Sequence, residues 1–138
     1  MKRILTSLLA IVALTAIADN PWRLSLENKE EQVVMKLDLY EETVNVPGMD
    51  LFGPMNGYLG GKGVFGVWMV TAFEIKSDKT ATLRISNDLG SETQAVRLTQ
   101  ETDSTYWMEL QGGVVVKRSV NHKLVKIPQK ILLNLSTR

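Results

Sequence analysis

From Val64 to the end, the chain repeats one pattern that leaves few folds open to it: a short apolar run, a polar turn, and another short run. Val64 to Lys76 is rich in Val, Phe, Trp and Ile, and Ser77-Asp78-Lys79 breaks it. Ala81, Leu83 and Ile85 then alternate with Thr82, Arg84 and Ser86, and Asn87-Asp88-Leu89-Gly90 turns. Gln94, Val96, Leu98 and Gln100 share the next face, followed by a turn near Asp103-Ser104. Tyr106, Met108 and Leu110 oppose Trp107 and Glu109 up to Gln111-Gly112-Gly113. Val114 to Val120, Lys123 to Ile127 and Lys130 to Leu135 complete seven runs, with Asn121-His122 and Pro128-Gln129 between them. A period of two marks half-buried strands, and loops of Asn, Asp, Gly and Ser at hairpin length mark antiparallel neighbours.

Upstream, Val33, Met35, Leu37 and Leu39 alternate with Lys36, Asp38 and Tyr40, which adds an eighth strand. The phase slips near Glu41-Glu42, where Val44 and Val46 continue the apolar positions before Pro47-Gly48 ends the element. No window after residue 18 carries a capped 3.6-residue period. The reading is an all-β antiparallel up-and-down meander of about eight short strands. Closing it into a barrel removes the exposed edges, and a two-sheet sandwich is the alternative. The inward positions are mostly large (Met35, Leu37, Leu39, Leu83, Ile85, Val96, Leu98, Met108, Leu110), which predicts a filled interior.

The first 18 residues stand apart. Lys2 and Arg3 precede an apolar run, and Ala16-Ile17-Ala18 supplies the small-x-small pattern of a cleavage site before Asp19. Those are the three parts of a secretory signal, and the run is shorter than the roughly twenty apolar residues that span a bilayer. Residues 1 to 18 are therefore expected to be removed. The mature domain, 19 to 138, is then exported, periplasmic or secreted, with no integral membrane span.

Removal of Lys2 and Arg3 turns a formal charge of +1, from 16 basic and 15 acidic residues, into −1. A near-neutral domain has no basic field for nucleic acid. The chain has no Cys and a single His, His122, so thiol nucleophiles, disulfides, Cys-based metal sites and His-based catalytic sets are absent. Gly61-Lys62 is not a phosphate loop, because Gly63 stands where Ser or Thr is required and no helix follows. Asp38, Glu41 and Glu42 read as solvated surface; Lys117, Arg118, Lys123, Lys126 and Lys130 read as charged protection of strand edges. No catalytic residue, cofactor or metal is expected, and the chain reads as a non-enzymatic protein.

The most unusual stretch is Pro47 to Gly63, seventeen residues with six Gly and two Pro among Met49, Leu51, Phe52, Met55, Tyr58 and Leu59. Glycine with adaptable apolar side chains is a frequent make-up of recognition surfaces, and long connections in small β domains are often functional. Phe52, Met55, Tyr58, Leu59 and Lys62 are the candidate binding residues, either exposed or folded over one barrel end as a lid.

Gly66-Val67-Trp68 at the start of the first meander strand resembles the G-x-W signature of lipocalins. The resemblance implies an eight-stranded barrel that binds small apolar ligands, with Trp68 closing one end and Arg118, from a late strand, stacking on it. The expected function is an exported binding module acting through the Gly-rich stretch, its partner an unidentified protein. The alternatives are a lipocalin-like carrier of a small apolar ligand, and an inhibitor that lays Leu59-Gly60-Gly61-Lys62-Gly63 in the cleft of a secreted peptidase.

Overall fold

A computed structural model describes residues 20–136; the leader expected at 1–18 lies outside the described residues. The chain forms β1 (Arg23–Asn28), β2 (Val33–Asp38), a one-turn 3-10 helix (Asp50–Phe52), β3 (Gly57–Gly60), β4 (Trp68–Ile75), β5 (Thr80–Ser86), β6 (Thr93–Thr102), β7 (Thr105–Gln111), β8 (Lys117–Val120), β9 (Lys123–Lys126) and β10 (Lys130–Leu135). Eight of these strands close into an antiparallel barrel in the order β1-β10-β7-β6-β5-β4-β3-β2. Closure is made where Leu26 pairs with Leu135 and Glu27 with Asn134. The expected barrel is the observed one.

Its membership differs from the expected eight. β8 and β9 form a separate two-stranded hairpin, because neither has a buried alternating face, and Lys117 lies directly opposite Lys126. Asn121 and His122 make its turn, both at positive φ, 51° and 68°, as a two-residue hairpin loop with the matching twist requires. Their places in the barrel are taken by β1 and β3. β1 buries only Leu26 fully and half-buries Leu24 between polar neighbours, a period of two too short to stand out. β3 runs through the stretch read as one long loop, so the connection after β2 is residues 39–56 and ends at Gly57.

Inward side chains fill the barrel: Leu26, Met35, Leu59, Ile85, Leu98, Met108, Leu110 and Leu133 are completely buried. Filling an eight-stranded barrel with large side chains leaves its stability to packing alone. Trp22 plugs the end where the chain enters. Its ring meets Tyr106 edge-on at 6.0 Å, and its Nε1 donates to the Ser77 carbonyl at 3.0 Å, across the mouth to the β4–β5 turn. At the opposite end the buried Gln94 amide donates to the carbonyls of Gln111 and Gly113 at 3.0 and 2.9 Å. It also accepts from the Val115 amide at 2.8 Å. Gln94 thereby pins the segment after β7 over the barrel.

One expectation is corrected. Asp38 is not solvated surface but 3% exposed at the end of β2. It accepts from Thr43 Oγ1 at 2.6 Å and from Arg23 Nε, the Tyr40 amide and the Glu41 amide at 3.1 Å each. The turn after β2 is built around this carboxylate. Burial pushes the carboxyl up, but the hydrogen bonds from Thr43, from the Glu41 and Tyr40 amides and from Arg23 outweigh it and hold the group below the usual carboxylate range. A depressed folded-state pKa gives stability that is complete above the ordinary carboxylate range and is lost as pH falls through the folded value. Asp38→Ala is expected to cost about 2–3 kcal/mol at pH 7, from the donors left behind. Urea midpoints should show that this variant loses less stability than the wild type from about pH 4 downward.

Candidate functional site

The end of the barrel opposite Trp22 carries a pocket of about 190 Å³. Its floor is Trp68, the first residue of β4, 3% exposed, with Val115 beside it. Three bulky apolar side chains stand around it in solvent: Phe65 at 58% exposure, Leu89 at 83% and Leu124 at 50%. They come from three segments. Phe65 belongs to the β3–β4 connection, where its amide donates to the Lys117 carbonyl at 2.7 Å and its own carbonyl accepts from Trp68 Nε1 at 3.4 Å. Leu89 sits in the β5–β6 turn, which is tied by Gly90 N to Asn87 O at 3.0 Å and by Glu92 N to Asn87 Oδ1 at 3.3 Å. Leu124 lies on β9, opposite Ser119.

Isolated exposed apolar residues are ordinary, but three converging on one concavity are what interaction sites present. Asp88, Glu92 and Lys117 complete the rim, so an apolar centre is bounded by charge of both signs. No group of three or more His, Asp or Glu residues that could hold a metal occurs among the described residues. Chemically, the arrangement can desolvate an apolar group and orient its polar surroundings.

A larger cleft, about 420 Å³, lies on the outer face of β1 and β2 between Arg23, Ser25, Lys36, Asp38, Thr43 and Ser136. Its one buried charge, Asp38, is fully engaged in the turn described above.

The structure does not gather the five residues singled out in the Gly-rich stretch. Phe52, with a fully exposed Leu51, forms the 3-10 tip at the Trp22 end. Met55 is half-buried and bridges to Val44. Tyr58 is half-buried on the outer face of β3, opposite Lys36 and Met69. Leu59 is completely buried in the core, and Lys62 is exposed in the turn at the other end of the barrel. Trp68 and Arg118 lie at one end of the barrel. Arg118 Nη1 pairs with Glu31 Oε1 at 2.9 Å, while its Nε and Nη2 are buried without a hydrogen-bond partner.

Of Trp68, Phe65, Leu89 and Leu124 the sequence singles out only Trp68, as a barrel-closing residue and not as the floor of a pocket, and it marks neither Phe65 nor Leu124. The one available cue was Leu89, a large apolar residue inside an otherwise polar turn. No family model, curated protein or solved structure matches the chain.

Proposed function

We propose that the mature chain is an exported, non-enzymatic binding module. It recognises a partner protein by seating one of the partner's apolar side chains over Trp68, between Phe65, Leu89 and Leu124. The observation that carries this reading is the convergence of three exposed apolar side chains on one concavity. Volume supports a protein partner over a free small molecule: about 190 Å³ is below the roughly 300–1,000 Å³ of small-molecule sites but suits a single anchoring side chain, the usual hot spot of an interface.

Two other readings have less support. A carrier of the lipocalin kind needs an internal cavity, and the inward positions here are occupied by Met35, Leu59, Leu98, Met108 and Leu110. A peptidase inhibitor needs a free extended loop. Leu59 and Gly60 are instead paired in β3, and the Gly63 amide is tied to the Gln32 carbonyl at 2.7 Å. The tip at Leu51 and Phe52 is a second exposed apolar surface, so the test must separate it from the pocket.

N-acetyl-leucine amide serves as a millimolar probe of the pocket, the affinity that so few atoms support. Leu89→Ser/Leu124→Ser should abolish its binding with stability held within about 0.5 kcal/mol, since both side chains are exposed. Leu51→Ser/Phe52→Ser should leave binding unchanged. The opposite ranking of the two double variants transfers the function to the Gly-rich tip.

A further inference from the structure

Charge is placed unevenly along this chain. From Leu110 to Arg138 the sequence holds six Lys and Arg and no Asp or Glu, although the whole chain is nearly balanced at 16 bases and 15 acids. Four of the six fall in the hairpin of β8 and β9: Lys117, Arg118, Lys123 and Lys126. Arg118 is paired with Glu31, but Lys117, Lys123 and Lys126 make no salt bridge among the described residues. Lys117 lies directly opposite Lys126, a like-charge pair that costs stability and that no acid within the hairpin relieves.

The same hairpin holds aliphatic side chains in water. Val120 is 43% exposed, Leu124 50% and Val125 42%, and every residue from Ser119 to Lys126 is exposed. Cross-strand partners share a face, so Leu124 stands with Ser119, Lys117 and Lys126 on one side. Val120 and Val125 stand with Lys123 and Arg118 on the other. Each face therefore carries aliphatic and basic side chains together. Protection of a free strand edge explains the lysines but not the exposed aliphatics beside them. A rigid protein surface covers one face of a hairpin, whereas a fluid interface closes round both.

We infer that this hairpin docks on an anionic lipid bilayer, with its aliphatic side chains among the headgroups and its lysines on the lipid phosphates. Strands of four residues reach about 13 Å, enough for the roughly 5–10 Å depth at which interfacial segments lie. β9 pairs with β8 alone, so its unpaired edge keeps the hairpin in the hydrated interface and out of the hydrocarbon. Lysine stems lie along the acyl boundary while their ammonium groups stay at the phosphates. The pocket over Trp68 is lined by Lys117 and Leu124 but not by Val120, Lys123, Val125 or Lys126. Variants at those four positions test docking separately from the pocket.

The test is cosedimentation of the purified mature chain, which lacks the apolar leader, with vesicles of phosphatidylglycerol and phosphatidylcholine or of phosphatidylcholine alone. The wild type should bind the anionic vesicles, half-saturated at about 1 mM lipid, and not the neutral ones. Lys123→Gln/Lys126→Gln should weaken binding about twentyfold, roughly fivefold for each charge removed. Val120→Ser/Val125→Ser should weaken it about tenfold. All four sites are exposed, and an unchanged melting temperature identifies a folded variant. Both double variants should bind N-acetyl-leucine amide as the wild type does; if the wild type itself ignores that probe, the pocket function falls and the vesicle result stands. Absence of binding to anionic vesicles, equal binding to neutral ones, or binding indifferent to Val120→Ser/Val125→Ser overturns the inference. Soluble polyglutamate bound more tightly than the vesicles also overturns it and gives the hairpin to an acidic protein.

Discussion

Replacing Trp22 with Ala lowers the stability of the barrel by about 3–5 kcal/mol, the range for emptying the space of a large aromatic side chain. Trp22 is completely buried at the mouth of the barrel. It joins three elements there: its indole meets the Tyr106 ring of β7, its Nε1 reaches the Ser77 carbonyl, and its amide donates to Tyr40 Oη at 3.0 Å. Truncation removes the plug and opens the core beneath it to water, because the surrounding strands are bonded to one another and cannot close in. A domain of this size is typically stable by only 5–15 kcal/mol, so the melting temperature should fall by more than about 10 °C. Trp22→Phe keeps most of the apolar volume and loses the bond to Ser77, at a cost of about 1–2 kcal/mol. Urea unfolding of the three proteins gives this order at unchanged m-value. A loss under about 1 kcal/mol for Trp22→Ala would mean that the barrel end is held by other contacts.

Gly63→Ala is expected to cost about 3 kcal/mol, although alanine is the smallest possible addition. An added Cβ would fall on the Glu31 carbonyl oxygen and lie 2.9 Å from that of Gln32. Those atoms belong to the β1–β2 turn, which receives the Gly63 amide at 2.7 Å, so the clash is with backbone that cannot rotate away. Gly112→Ala is the contrast. Gly112 has φ 73° with nothing within 4 Å of an added Cβ, so its cost is only the left-handed backbone, about 1 kcal/mol. Chemical denaturation of both variants should separate them by about 2 kcal/mol. Equal costs would show that conformational freedom, and not close approach, is what both positions need.

Those glycines also show where the sequence misleads. The density of Gly between Pro47 and Gly63 suggests a pliant recognition loop, yet Gly57 and Gly63 face the backbone of β2 and of its preceding turn with no room for a side chain. β3 is legible only once its neighbours are known: four residues, two of them glycine, carry no usable period. β5, β6 and β7 declare themselves, because Ala81, Leu83 and Ile85, then Gln94, Val96 and Leu98, then Tyr106, Met108 and Leu110 alternate buried with less buried residues. The hairpin of β8 and β9 reads as two barrel strands from its short runs, Val114 to Val120 and Lys123 to Ile127, and its Asn121-His122 turn, yet neither strand has a buried alternating face. Two misread members and two missed ones left the count of eight intact.

The pocket was less legible than the fold for a physical reason. Phe65, Leu89 and Leu124 are separated by 24 and 35 positions along the chain, and only the paths of the strands bring them to one barrel end. Nothing local marks such residues, whereas an inward-facing strand residue is marked by its neighbours two positions away.

The proposed binding function requires that the pocket over Trp68 accept an apolar anchor. Its most direct test is the NMR response of the Trp68 indole N–H when N-acetyl-leucine amide is titrated into the wild-type protein. The largest saturable shifts should fall on Trp68, Leu89 and Leu124, with Leu51 and Phe52 unmoved. Shifts confined to Leu51 and Phe52, or none at the Trp68 end at saturating probe, would contradict it.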